Sequence, residues 1–271
     1  MTHTPFDSDA ARAATQNSPQ LPSAVFARTT DAPGMSEVAP EVSRQDQPDP
    51  SDEVLVDQAG RPLGPRALQT RRKILEAAVS LLAEKPMRDM RVIDIARQIG
   101  SSPATFYQYF KDVEDVVLYL AGQAKEATPI MVDLIGGDWE GEAGFERGKK
   151  ISNLVIDHWE KFAPVLRARN NASDEGNAAL REERMAAMVP LVDAFRAALE
   201  RSQAKAAEAV DPQDGVWRGG PVDPLVAATA LSSCLERTAM YHGWIEDMGS
   251  SREQLVETTA ALLQGMLAVR R

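Results

Sequence analysis

The chain has 271 residues, 44% of them hydrophobic, a formal net charge of −10 and one cysteine, Cys234. An intramolecular disulfide is excluded, no apolar run approaches the ~20 residues of a membrane span, and no basic-then-apolar start marks a secretory signal. A cytoplasmic protein with no membrane partner is expected. The charge is uneven: residues 1–60 hold three Arg and ten Asp or Glu, residues 61–111 hold ten Lys or Arg and four Asp or Glu, and the remainder holds 17 and 26. Local charge, not whole-chain charge, meets a phosphate backbone, and the one basic segment is 61–111.

Residues 1–62 are rich in Pro, Asp, Ser, Thr and Ala without sustained apolar periodicity, and read as a disordered acidic tail. From about Pro65, the positions Ala67, Ile74, Ala77, Ala78, Leu81 and Leu82 make the buried stripe of a helix over about 65–84, which Lys85-Pro86 ends. Val92, Ile95, Ala96 and Ile99 give the next helix one buried face, and Gly100 suits the left-handed residue that closes it. Ser102 is a good N-cap and Pro103 a good first residue for a second helix. On it Phe106 and Phe110 can turn inward, so that Thr105, Tyr107, Gln108 and Tyr109 point elsewhere. That is the pattern of a helix-turn-helix whose second helix enters a DNA major groove. The bland alternative is an ordinary helical hairpin; the local positive charge, the Ser102-Pro103 start and the exposed aromatics favour DNA.

Asp112 caps a helix to about Ala127, and Pro129 marks its end or a kink. Helices are expected over about 142–169 and 175–209, the latter broken or kinked at Pro190. A Gly- and Pro-rich loop at 211–221 precedes helices over about 223–246 and 252–269. The fold class is therefore all-α: a tail over 1–62, a helix-turn-helix DNA-binding domain over 63–112, and a helical ligand-binding and dimerisation domain over 113–271. No Gly-rich phosphate loop, nucleophile arrangement or metal-ligand spacing of His3, His158 and His242 appears, so no enzyme, metal or cofactor is expected.

The run Leu68-Gln69-Thr70-Arg71-Arg72-Lys73-Ile74-Leu75, the Ile95-Ala96 pair, the Gly100 turn and Thr105-Phe106-Tyr107-Gln108-Tyr109-Phe110 resemble the TetR family of transcriptional regulators. The resemblance covers about 68–121. It implies a three-helix DNA-binding head and a larger helical body that binds a small ligand and dimerises through its last two helices. By position, Pro103, Ala104, Thr105, Tyr107, Gln108 and Tyr109 fall where the family touches DNA, beside the cap Ser102. Thr105 and Gln108 are the candidates for base edges, Tyr107 and Tyr109 for phosphates. Arg91 stands where the family has a Ser or Thr cap, and is read as a phosphate contact instead. Val113 stands where the family has a Lys, and Lys111 is read as its replacement. In the body, Ala228-Thr229-Ala230-Leu231 and Glu236-Arg237-Thr238 are similar to a stretch of the mycobacterial ethionamide-resistance regulators of the family. Ser232 and Leu235 stand where those offer asparagines to the ligand, which implies a ligand less dependent on amide hydrogen bonds.

Bulky, flexible side chains suit an apolar pocket with few polar anchors. The candidate lining is Trp159, Phe162, Met188, Tyr241 and Trp244, with Asn153, Ser232 and Leu235 beside them and His158 as a further anchor. Cys234, on an apolar helix, is expected to be inert. Leu225, Leu231, Leu255, Leu262, Leu263 and Met266 recur at helical spacing on the last helices and are the candidate dimer interface, with intrachain core as the alternative. The reading is a homodimeric repressor on a double-stranded DNA operator, released by an apolar small-molecule effector. The alternative is a helical ligand-binding or adaptor protein without specific DNA binding.

Overall fold

The structure, a computed structural model, describes residues 55–209 and 222–268; the expected tail before residue 55 and the whole of the expected 211–221 loop lie outside the described residues. Among the described residues, helix is interrupted only by turns and by one isolated antiparallel bridge, Val56 with Pro62.

Helix α1 (Pro65–Glu84) buries Ile74, Leu75, Ala77, Ala78 and Val79 along one face and ends at Lys85 before Pro86. A single 3-10 turn (Met87–Asp89) leads to α2 (Val92–Gln98). Arg91, as expected, makes no side-chain cap hydrogen bond to α2. Its backbone N–H donates to Asp94 Oδ2 at 3.1 Å, and Lys85 Nζ holds the same carboxylate at 2.8 Å. Asp94 thus ties the N–H that precedes the helix to its first turn and is itself held by α1. Gly100, at φ +65°, turns the chain into α3 (Pro103–Phe106), where Ser102 Oγ accepts from Thr105 N at 3.3 Å.

Two sequence expectations change here. Regular helix ends at Phe106, and the segment continues as turns, with Tyr109 N donating to Phe106 O at 2.9 Å and Phe110 N to the same oxygen at 3.1 Å. Phe106 and Phe110 are nonetheless buried, as their spacing requires. The second change concerns the tail: residues 55–62 are ordered. Asp57 accepts the N–H groups of Ala59 and Arg61, both at 2.9 Å, and ion-pairs with the Arg61 guanidinium at 2.7 Å. The Gln58 N–H then donates to Gln108 O at 2.9 Å, and Gln58 Nε2 to Tyr109 O at 3.3 Å. A polar, apolar-poor stretch is held by turn chemistry and borrowed carbonyls, which no periodicity records.

Asp112 caps α4 (Val113–Lys125) through Asp115 N at 2.9 Å. Then come α5 (Thr128–Gly136), α6 (Gly141–Asp174), α7 (Ala178–Ala209), α8 (Pro224–Met240), α9 (His242–Asp247) and α10 (Arg252–Leu267). Pro129 opens α5 instead of kinking a longer helix. Neither Pro164 in α6 nor Pro190 in α7 divides its helix. Glu160 and Ala186, whose carbonyls lose a partner, are exposed, so water takes the place of the missing N–H. The expected 223–246 helix divides at Tyr241 into α8 and α9.

Helix α6 is the spine of the body, packed against α10, α7, α8 and α4. Gly148 lets α10 approach closely: a Cβ there would lie 2.9 Å from Ala260 Cα. The core joins Ile151, Ile156, Trp159, Leu166, Phe195 and Leu199 to side chains of α8 and α10. Three of the expected dimer residues belong to it: Leu231, Leu255 and Leu263 are 8%, 6% and 2% exposed, and Met266 packs against it half-buried. Helical spacing identified an apolar face but not which way it turns. Leu225 and Leu262, at 49% and 53%, are the two that face outward.

Candidate nucleic-acid interface and ligand cavity

The helix-turn-helix presents Ala104, Tyr107, Gln108 and Lys111 to solvent, with Pro103, Thr105 and Tyr109 half-buried. The Thr105 hydroxyl lies 3.2 Å from Ser102 Oγ, so both expected contacts share one capping interaction. Gln108 lends its backbone carbonyl to Gln58 and keeps its side chain exposed. Tyr107 meets the Phe106 ring edge-on at 5.7 Å, which fixes its ring while the residue stays 53% exposed. Arg91 is exposed and lies 3.7 Å from Asp94. Arg66, Lys73, Arg97 and Lys111 are exposed and make no ion pair with another described residue. Val113 is half-buried, so Lys111 is the cation nearest the expected lysine position.

The head is tied to the body through α4. Arg71, 9% exposed on α1, lays its guanidinium over the Tyr119 ring at 3.9 Å and the Phe110 ring at 4.9 Å. Asn177 Nδ2 donates to Glu114 Oε2 at 2.7 Å, and Arg88 pairs with Glu175 at 2.6 Å. Val117, Ala168, Ala172 and Leu180 close an apolar contact that Leu82 and Met87 of the head join.

The body holds a cavity of about 90 Å³, measured at the centre of a water-sized sphere, between α4, α5, α6, α7 and α8. Such a volume has room for several water-sized groups. Four of the expected lining residues border it: Trp159, Met188, Ser232 and Leu235. The other four do not. Phe162 packs against the core away from the lining, exposed Asn153 donates to Lys149 O at 3.2 Å, and Tyr241 and Trp244 are 43% and 62% exposed. Tyr241 and Trp244 sit at the α8–α9 break, which a continuous helix did not foresee. Cys234 is exposed on α8, against the expectation of an apolar setting.

The sequence reading missed the charged part of the lining: Lys125, Arg169 and Glu236. Lys125 Nζ lies 3.0 Å from Glu183 Oε1. His158, a foreseen anchor, borders the cavity too; burial above all, then Arg169 and Lys161, pushes its pKa down to about 4, so the ring is neutral at pH 7. The only signal for Arg169 was its place in an otherwise apolar helical face, with Val165, Leu166 and Ala168 beside it.

Residues 74–120 match the family model of bacterial regulatory proteins, tetR family. This segment is similar to the DNA-binding head of that family. The match runs from within α1 to Leu120 of α4, so it contains the candidate recognition residues and stops before Ala124 and Lys125, where α4 borders the cavity. Solved structures share the fold across head and body. Salmonella enterica GusR is 19% identical over 76% of this chain and 97% of its own, with a TM-score of 0.52. A protein of Rhodococcus sp. RHA1 with unknown function is 18% identical over 73% and 95%, with a TM-score of 0.52. Among the described residues, no helix of the tetR-like fold is long and apolar enough to cross a membrane.

Proposed function

We propose that the chain is a homodimeric, ligand-responsive transcriptional repressor. The observation that carries this reading is the placement of α4. Its N-cap, Asp112, follows the recognition segment directly, and its last turn, Ala124 and Lys125, borders the cavity. A ligand that prefers one position of that last turn biases the tilt of the helix on which the head is mounted. Operator affinity then changes by the ligand's differential affinity for the two states. Two heads about 34–36 Å apart would read successive major grooves. Exposed Leu225 and Val226 on α8 and Ala261 and Leu262 on α10 support self-association. The apolar lining by Met131, Ile135, Ile151 and Phe195 supports a largely apolar effector.

A gel shift with DNA flanking the protein's own gene tests the reading. Discrete complexes at submicromolar protein, displaced by unlabelled operator but not by bulk DNA, are expected. Equal affinity for operator and bulk DNA at physiological salt would favour the adaptor alternative.

A further inference from the structure

The cavity wall contains a cation whose bonding is incomplete. Arg169 is 5% exposed and borders the cavity. Its Nε and Nη2 both donate to Asn170 Oδ1, at 3.1 and 3.0 Å, and Asn170 Nδ2 donates to Glu236 Oε1 at 2.9 Å. Among the described residues no carboxylate oxygen lies within 4.0 Å of the guanidinium, and Nη1 makes no hydrogen bond. Glu236 therefore compensates Arg169 only through an intervening amide. Burial is the largest influence on the guanidinium and draws its pKa below the usual value, while Glu236 acts to raise it.

The neighbouring charges are ion-paired, although Glu183 Oε1 is buried without a hydrogen bond. Lys125 is paired with Glu183, and Arg184 with Asp174 at 2.8 Å. Glu236 is half-buried, so solvent and Asn170 share its charge. A buried charge is strongly unfavourable unless paired and hydrogen-bonded, and a guanidinium pairs best with a planar carboxylate. Lys125 and Arg169 are matched in number by Glu183 and Glu236, but Arg169 touches neither carboxylate and keeps Nη1 without a hydrogen bond among the described residues, beside an apolar space.

We propose that the effector is an amphipathic organic monocarboxylate whose apolar body fills the cavity and whose carboxylate is received by Arg169. This rests on the ligand-responsive reading above. Neutral His158 fits it, because a ring without charge adds no repulsion to Arg169 in the empty state.

Octanoate, 1-octanol and octylamine share a tail and differ in head group. Titration calorimetry and thermal shift on the full chain at pH 7.5 separate them. Octanoate is expected to bind at least tenfold more tightly than either of the others. In Arg169→Gln, octanoate and octanol are expected to bind within twofold of each other. Binding of octanol or octylamine as tight as octanoate overturns the carboxylate assignment while leaving the pocket reading in place, as does an undiminished preference in the variant. Failure of all three ligands to bind overturns the pocket reading itself and the proposal with it. Should Arg169→Gln not fold, the wild-type series alone decides.

Discussion

The guanidinium of Arg71 lies 3.9 Å from the ring centroid of Tyr119, and 4.9 Å from that of Phe110, at a site only 9% exposed. One side chain of the first helix thus clamps the residue that ends the recognition segment to the helix that leaves it. Desolvated cation–π contacts are worth about 2 kcal/mol, so Arg71→Ala should lower unfolding stability by about that amount or more. Arg71→Lys should recover part of it. Urea denaturation of the three proteins checks this, and a change below ~0.5 kcal/mol for Arg71→Ala would discard the clamp.

On the DNA side, Gln108 is the freer of the two base-reading candidates, because the Thr105 hydroxyl is engaged with Ser102. Gln108→Ala should lose about 1–3 kcal/mol on operator and relax preference at one base pair. Ser102→Ala should instead lower stability by about 1 kcal/mol, as a lost cap does. Lys111→Ala should weaken binding to all sequences and flatten the salt slope by about one. Quantitative gel shifts at several salt concentrations separate these outcomes.

His158 should leave a signature in acid. With a folded pKa near 4 against 6.5 in the unfolded chain, it is neutral in both states above pH 6.5. As pH falls from 6.5 towards 4, the unfolded state takes a proton that the folded state refuses, so stability declines across that window. The decline is on the order of 3 kcal/mol at most. His158→Gln should remove this slope, and a nuclear magnetic resonance titration placing the ring near 6.5 would contradict it. Asp94 acts lower on the scale. Its hydrogen bond from Lys85 holds its carboxyl below the usual range, so its stabilising contribution is present above about pH 4 and fades as pH falls through the lowered value. The stability advantage of wild type over Asp94→Asn should be full above about pH 4 and shrink only in that acid region.

Self-association should depend on the outward residues and not on the inward ones. Leu225→Asp with Leu262→Asp should give folded monomers by light scattering, with weaker operator binding. Leu263→Ala should destabilise the fold itself by about 2–5 kcal/mol, because that residue is 2% exposed. A wild-type monomer at micromolar concentration would remove the dimer from the reading.

Much of this molecule was legible in its sequence where local chemistry decides the outcome. Ser102 and Asp112 cap the helices expected of them, and Ile74, Ile95, Ala96 and Phe106 are buried as their spacing demands. What spacing does not encode is the direction in which a helix turns within a bundle. Leu231 and Leu263 were therefore read as interface although they are core, and Trp244 as lining although it is exposed. Nor does apolar patterning announce a buried charge: Arg169 is seen at the cavity only once α6, α7 and α8 are assembled around it.

The two hydrogen bonds from Gln58 to the carbonyls of Gln108 and Tyr109 bear on how the head can be transplanted. The family match begins at residue 74, and a chimera cut there would carry all the candidate DNA-contact residues from Arg91 to Lys111. It would also discard the strap that holds the turns following the four-residue helix. A cassette that preserves this protein's operator preference in a foreign body has to begin at residue 55.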